Sequence, residues 1–363
     1  MYLLIQSQMR LSTFVPAVAF AWSRGHYYEE IKKLGCEVID LNLKDDRNIF
    51  QAWRAKNSLK AYQIHHFHSP EITLMLASIL CRDAVRVYTH RGGIIDFKFI
   101  KKIRHKIGGF YLRNFFSGLS GNTEHACKSA SILFQIPSNL WRVMYNGVDF
   151  SLLIPKHPKN EVIQELQLPV DGAVTIGTSA QLRDWKRIDL LLEACTNLPR
   201  NSYRLLIVGD GPARQKLQEL TSSLGIDEFT TFTGMKEHVG DYLALMDIFV
   251  LPSEAGESFG NAAVEAMSFG IPAIVFQDGG GLLEHIQNGR NGYIVSSVDE
   301  LAKRLHSLII NKSLRNQLGL NAREFVTNRY TLEKMISSYD MLYLSAINNK
   351  KKKRDSLAGS LSD

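Results

Sequence analysis

The sequence predicts an α/β protein of two domains, and three observations carry that expectation. Short apolar runs alternate with amphipathic helical stretches after Pro169, the pattern of a parallel sheet covered on both faces. The first half repeats the alternation less cleanly. The chain has 363 residues, 45% of them apolar, enough to bury two cores of ordinary size.

In the first half, strands are expected at Met1 to Ile5, Glu37 to Leu41, Ile64 to Phe67 and Val85 to Thr89. Between the first two, Pro16 suits the first position of a helix running, with an interruption at Gly25, to Leu34. The alternative is a strand at Val18 to Ala21. Asn146-Gly-Val-Asp149 has the composition of a turn.

In the second half, Val174 to Thr178 reads as a strand and Ile188 to Ala194 as a helix. Tyr203 to Val208 is a strand ending in the turn Gly209-Asp-Gly-Pro212, followed by a helix through Leu220. Phe229 to Thr233 resumes the sheet, Val239 to Met246 forms a short helix, and Ile248 to Leu251 is the next strand. Ile274 to Phe276 and Gly292 to Val295 are strands flanking a short helix at Leu282 to Ile286. Asp299 is placed to cap the helix that opens a helical C-terminus.

Composition narrows the function classes. Cys36, Cys81, Cys127 and Cys195 lie far apart without a Cys-x-x-Cys pair, which points to reduced thiols in the cytosol rather than zinc or disulfides. No apolar run reaches the roughly eighteen residues of a membrane span. The short apolar stretch at Phe14 to Trp22 lacks the basic cluster of a signal peptide and reads better as a buried helix. A formal charge of +7 suits an anionic partner: a nucleotide sugar, a phospholipid surface or nucleic acid. Nucleic acid has only the charge and the Lys350 to Arg354 run behind it, with no recognition motif, and is not expected.

The chemistry concentrates in Glu257-Ser-Phe-Gly-Asn-Ala-Ala-Val-Glu265. Ala262 to Met267 contains good helix formers, so Glu265 sits about one turn into a helix and Glu257 in the loop before it. Backbone N–H groups at a helix N-terminus hold an anion such as a diphosphate. A carboxylate accepts two hydroxyl hydrogen bonds, which suits Glu265 to a ribose and Glu257 to a hexose. Lys186 follows a strand at the carboxyl edge of a parallel sheet, where ligands of such sheets bind, and supplies a point charge to a phosphate. His65, His66 and His68 form the densest histidine cluster; His66 and His68 share one strand face, and without a carboxylate or cysteine nearby no metal site is expected.

Pro252-Ser253, Glu257 to Gly260, Glu265-Ala-Met267, Gly270-Ile-Pro272 and Gly280-Gly281 with Glu284 together resemble the donor-site signature of retaining GT-B glycosyltransferases of family 4. The resemblance implies a GT-B fold: two Rossmann-like domains with a cleft between them and a C-terminal helix crossing back. It places an acceptor-side domain at 1–155, a nucleotide-sugar domain at 156–330, a crossover helix at 331–347 and a basic disordered tail at 348–363. It implies Glu265 on the nucleotide ribose, Glu257 on the transferred sugar, and main-chain contacts from Phe259, Gly260 and Asn261. Lys186, Glu257 and His66 form the implied catalytic set. Gly209 and Gly211 lie near the nucleotide, and His68, His90 and Arg91 line the acceptor or sugar side. The family's Arg-x4-Lys pair is altered here, with Gln181 at the Arg position and Arg183 as the candidate substitute.

The implied reaction is metal-independent retaining transfer of a hexose-type sugar from a nucleotide-diphosphate sugar, with no other cofactor. The acceptor is a glycan or lipid-linked molecule of cell-surface polysaccharide or glycolipid synthesis, on the cytoplasmic side. The mixed basic and apolar segment 97–107 and the lysine-rich tail offer peripheral contact with the inner face of a membrane. A non-catalytic nucleotide-sugar-binding protein and a nucleotide-sugar epimerase of the same fold are the alternatives. The chain departs from the family in its first loop, where Gln6 to Phe14 contains no glycine.

Overall fold

The computed structural model describes residues 1–22, 27–44, 48–69, 71–92, 99–169 and 171–359, the side chains of 99–104 and 356–359 excepted. The chain divides into two compact units. The first runs from the N-terminus to Gly147 and resumes at Leu332; the second is Val148–Thr331. The passage between them at Gly147/Val148 comes earlier than the expected 155/156 boundary, and Phe150–Leu153 is already a 3-10 turn of the second unit.

The first unit runs α1 (Tyr2–Leu11), β1 (Ala17–Phe20), α2 (Tyr28–Lys33), β2 (Glu37–Asp40), α3 (Ile49–Leu59), β3 (Ile64–Phe67), α4 (Ile72–Leu80), β4 (Val85–His90), α5 (Phe99–Phe115), β5 (Gly118–Gly121), α6 (Glu124–Phe134) and β6 (Trp141–Val143). Its strands form two separate parallel sheets, β1-β2 and β3-β4-β5-β6. The expected first strand at Met1 to Ile5 is instead the opening of α1. Gln6 to Leu11 continues with helix formers and without Gly or Pro, and Leu4, Ile5 and Gln8 are buried on one side at helical spacing. Ser12, in an extended conformation, ends the helix and donates its hydroxyl to Asp340 at 2.6 Å. Pro16 accordingly precedes a strand rather than starting a helix, so the strand alternative near Val18 is the one realised.

The second unit runs α7 (Lys159–Glu165), β7 (Val174–Ser179), α8 (Ile188–Cys195), β8 (Tyr203–Val208), α9 (Arg214–Ser223), β9 (Thr230–Gly234), α10 (Val239–Leu243), β10 (Ile248–Leu251), α11 (Asn261–Ser268), β11 (Ala273–Phe276), β12 (Gly292–Val295), α12 (Val298–Ile310) and α13 (Lys312–Arg329). One six-stranded parallel sheet has the order β12-β11-β10-β7-β8-β9. Its central strands are continuous apolar runs buried on both faces, as parallel sheets require: Ile248 to Leu251 and Ala273 to Ile274 are fully buried. Ser297, not Asp299, caps α12: its hydroxyl accepts from the Glu300 N–H at 3.2 Å, and Glu300 reaches back to the Ser296 N–H at 2.9 Å.

The chain ends in α14 (Leu332–Gly359), which belongs to the first unit. Met335, Ile336, Tyr339, Leu342 and Ala346 pack with Val85, Val87 and Met144. The tail expected to be disordered from 348 is helical to Gly359, because Lys350 is anchored: its ammonium donates to the Arg82 and Ala84 carbonyls at 2.7 and 3.0 Å. Residues 360–363 lie outside the described set. Among the described residues no helix is long and apolar enough to cross a membrane; all four cysteines are buried and none is in a disulfide.

Candidate functional site

Strand order in the second unit reverses between β7 and β10: β8 and β9 lie on one side of the pair, β11 and β12 on the other. Loops leaving the carboxyl ends of β7 and β10 therefore diverge to opposite sides and leave a crevice, the place where open parallel sheets bind ligands. The loop after β7 carries Arg183 and Lys186; the loop after β10 carries Glu257.

The β7 loop is held by backbone pairing with the turn after β8. Leu182 donates to the Asp210 carbonyl at 2.9 Å and accepts from Ala213 at 3.0 Å, and its side chain is fully buried. This close approach explains the glycines expected to contact a nucleotide. Gly209 has φ 130°, and a Cβ there would lie 2.0 Å from the Ala180 carbonyl oxygen; one at Gly211 would lie 2.3 Å from that of Leu182. A 3-10 turn, Asp184–Lys186, then aims Lys186 toward the β10 loop.

Lys186 and Glu257, expected to hold different parts of a donor, form an ion pair with each other, each side chain 12% exposed. The Lys186 ammonium also lies 4.2 Å from the centre of the Trp185 ring, a cation–π contact. Arg187, which starts α8 in the left-handed region at φ 50°, was not singled out by sequence reasoning. It makes a two-pronged pair with Asp278 at 2.8 and 2.6 Å and donates to the Pro252 carbonyl at 2.7 Å. The guanidinium thus ties the loops after β7, β10 and β11 together. Arg183 is exposed, and its guanidinium makes no hydrogen bond or ion pair among the described residues.

The loop before α11 is fixed from beneath. Gly260 caps the helix at φ 80°, and a Cβ there would meet the Leu282 side chain at 2.1 Å. The Gly281 N–H donates to the Glu257 carbonyl at 2.8 Å. Phe259, expected to offer its main chain to a ligand, is 2% exposed and its carbonyl accepts from His285 Nε2 at 2.5 Å. His285 Nδ1 in turn accepts from the Tyr330 hydroxyl at 2.8 Å, and the three rings pack edge to face. Burial pushes the His285 pKa down to about 4, so the ring stays neutral and keeps one donor and one acceptor. Asn261 is the exposed first residue of α11.

One turn further, Glu265 differs from every other carboxylate around it. Burial pushes its pKa up to about 7, and neither carboxylate oxygen has a hydrogen-bond or ion-pair partner among the described residues. The group is half-buried rather than sealed. A desolvated carboxylate with open lone pairs is poised to accept hydroxyl donors.

The remaining candidates belong to the first unit. His66 Nδ1 bonds the Tyr343 hydroxyl at 2.8 Å and Nε2 that of Thr89 at 2.7 Å, while burial and then Arg91 push its pKa down to about 3. Both nitrogens are thus committed to protein hydroxyls, which suits a positioning role and not proton transfer. The rings of His66 and His68 lie 4.0 Å apart on the shared strand face, and His65 is turned into the core onto Ser78 at 2.7 Å. Arg91 donates to His68 Nδ1 at 3.1 Å, to Asn146 at 2.9 Å and to the Tyr339 hydroxyl at 3.1 Å. His90 Nδ1 bonds the Tyr88 hydroxyl at 3.2 Å, and burial pushes its pKa down to about 4. Of the segment 97–107, residues 97 and 98 lie outside the described set, as do the side chains through Arg104; α5 is helical from Phe99.

Comparison with known proteins bears on the family and the fold. Residues 159–325, nearly all of the second unit, match the family of glycosyl transferases group 1. N-acetyl-alpha-D-glucosaminyl L-malate synthase of Bacillus anthracis is 29% identical over 59% of this chain and 56% of its own. The lipopolysaccharide core biosynthesis glycosyltransferase LpsE of Rhizobium meliloti is 27% identical over 50% of this chain and 52% of its own. The chain thus spans about half the length of the curated relatives it matches. Whole-chain similarity is structural: Anabaena Alr3699/HepE in complex with UDP superposes with a TM-score of 0.83 over 94% of this chain and 95% of that one, at 19% identity. A glycosyltransferase of Rickettsia africae gives 0.81 over 96% and 94%, at 18% identity. The fold is GT-B, with two Rossmann-like domains and a C-terminal helix on the first.

Proposed function

We propose that the chain is a retaining glycosyltransferase that takes a hexose from a nucleotide-diphosphate sugar bound at the β7/β10 crevice. The observation that carries the reading is Glu265, a half-buried carboxylate with no protein partner and a pKa raised to about 7. Holding such a group costs stability, and a ribose diol offers it two hydroxyl donors.

In this reading the diphosphate lies between the Lys186 ammonium and the N-terminal N–H groups of α11, and Glu257 turns from Lys186 toward the sugar hydroxyls. The anomeric C–O bond breaks with its electron pair passing to the diphosphate, while the acceptor hydroxyl attacks from the same face. The leaving phosphate oxygen takes the proton of that hydroxyl. Lys186 and the helix N-terminus stabilise the charge that develops, which assigns no step to a metal. The acceptor is a glycan or lipid-linked molecule. Peripheral attachment to an anionic membrane then falls to the 97–107 segment and to the lysine-rich tail.

Anabaena HepE is described with UDP and with UDP-glucose, which makes uridine-diphosphate hexoses the first donors to test. The experiment is a panel of nucleotide sugars screened by thermal shift, then by hydrolysis and transfer. A donor that stabilises the protein and is turned over supports the reading. Stabilisation without turnover under any acceptor leaves a nucleotide-sugar-binding protein, and an altered sugar epimer released from the donor points to an epimerase.

A further inference from the structure

Parallel strands need a helix that runs back between them, so α3, α4 and α5 all finish at the amino ends of β3, β4 and β5, away from His68, His90 and Arg91 at the carboxyl ends. Helix C-termini leave carbonyls unpaired and favour cations beside them. Basic side chains answer them here. His65 Nε2 donates to the Leu59 carbonyl at 2.9 Å. The buried Arg86 donates to the Ser78, Ile79 and Cys81 carbonyls at 2.6, 3.2 and 2.6 Å and to that of Phe115 at 3.5 Å. Lys350 of α14 holds the Arg82 and Ala84 carbonyls, and Asn349 donates to that of Ser117 at 3.2 Å. The ends of α3, α4 and α5 and the lysine-rich part of α14 are thereby tied into one face of the first unit.

That face is strongly cationic. Arg86 and Lys350 are satisfied by carbonyls and not by carboxylates, and burial, then Arg86, hold the Lys350 pKa below its ordinary value, with Asp83 opposing. Around them Lys60, Arg82, Arg113, Lys351, Lys352 and Arg354 are exposed, and none of these makes an ion pair among the described residues. The acids at this end are Glu37, Asp83 and Asp355. Exposed cations alone would suit any polyanion, but Leu80, Phe115 and Leu140 are exposed among them. Tyr111 stacks on Phe115 with ring centres 5.8 Å apart and fixes that ring. Apolar side chains set among cations fit the boundary between phospholipid headgroups and acyl chains, where lysine stems lie along the apolar layer and their ammonium groups reach the phosphates.

We infer that this end of the first unit docks on an anionic phospholipid surface, with Leu80, Phe115 and Leu140 entering the headgroup layer and Arg82, Arg113 and the Lys351–Arg354 turn on the phosphates. This docking rests on the membrane attachment proposed above and decides where it occurs. α5 spans 17 residues, about 25 Å of helix, so its start at Phe99 lies that far from Phe115. The lysine turn joins the Phe115 end, because Asn349 is bonded to Ser117. The carboxyl ends of β3 and β4, with His68, His90 and Arg91, then face away from the bilayer.

The test is flotation with vesicles of phosphatidylcholine alone and of phosphatidylcholine with about one third phosphatidylglycerol. The full chain should float with the anionic vesicles only. Lys351→Ser/Lys352→Ser/Arg354→Ser should weaken binding about a hundredfold, at about fivefold per cation. Leu80→Ser/Leu140→Ser should weaken it about tenfold and leave binding to inorganic polyphosphate unchanged. Lys101→Ser/Lys102→Ser should bind as the parent does. All these variants are compared at equal melting temperature, which excludes misfolding. Binding lost in the Lys101/Lys102 variant and kept in the other two overturns this face and leaves attachment through the 97–107 segment. Flotation with neither vesicle, or capture of polyphosphate without flotation, overturns membrane docking altogether. Stabilisation by uridine-diphosphate glucose, measured on the same samples, reports donor binding separately from either result.

Discussion

Glu265→Gln should make the protein more stable and less able to bind a nucleotide sugar, with both effects tied to pH. Burial raises the folded-state pKa of Glu265 from 4.5 to about 7. Below 4.5 the carboxyl is protonated in folded and unfolded chains alike and contributes no difference. As pH rises from 4.5 to 7 the unfolded chain loses the proton while the folded chain keeps it, so stability falls; above 7 the whole penalty stands. At about 1.4 kcal/mol per pH unit that penalty is roughly 3 kcal/mol, an upper figure for a half-buried group. Gln keeps the shape and removes the charge. Chemical denaturation at pH 5 and pH 8 should show little difference between the proteins at pH 5 and a gain of about 1–3 kcal/mol for the variant at pH 8. Calorimetry with uridine-diphosphate glucose should show affinity lowered by about tenfold to a hundredfold, since charge-assisted hydrogen bonds contribute about 1.5–3 kcal/mol. A variant with unchanged stability at pH 8 would refute the desolvation argument. One with unchanged affinity would refute the ribose assignment.

Lys186→Ala should lower transfer by about 10²–10³ while Glu257→Gln restores none of it, since in the proposed reaction the ammonium acts on the leaving group and not only on Glu257; steady-state rates decide. Gly209→Ala drives a methyl into the Ala180 carbonyl at a φ of 130°, and a loss of about 3 kcal/mol or failure to fold is expected in urea melts. Arg187→Lys keeps the charge but loses the two-pronged grip on Asp278, which should destabilise the protein by about 1–2 kcal/mol and raise KM more than it lowers kcat. His285, with its pKa lowered from 6.5 to about 4 by burial, acts in the opposite sense to Glu265. Its stabilisation is intact above pH 6.5 and should be lost as pH falls through 4, by roughly 3 kcal/mol, and a His285→Phe variant should lack that acid-side slope.

Local signals explain which parts of the molecule were legible in advance. Strands such as Tyr203–Val208, Ile248–Leu251 and Gly292–Val295 are apolar runs closed at both ends by turn formers, so period and punctuation agree. Met1 to Ile5 is too short for its period to separate strand from helix, and what decides it is the contact of Leu4 and Ile5 with α14 and β1, far along the chain. The tail misled for the same reason: a lysine run looks solvated until its first member finds two carbonyls more than two hundred residues upstream. At the candidate site, the residue types around Glu257 and Glu265 stand out in the sequence. The pairing of Lys186 with Glu257, the Arg187 clasp and the His285–Tyr330 support are contacts between distant segments, and Arg187 hides beside a lysine that draws the eye first.

The placement of α14 has a consequence for how the chain is made. It supplies Met335, Ile336, Tyr339 and Leu342 to a core whose other members, Val85, Val87 and Met144, are synthesised long before. On a ribosome adding about 5–20 residues per second, the second unit is complete at Thr331 and free to fold while the first still presents an uncovered apolar sheet face. The order of maturation is therefore the reverse of the order of synthesis. A nascent chain stalled shortly before Leu332 would carry a finished second unit behind an unfinished first, and that exposed face is where a chaperone would be expected to bind.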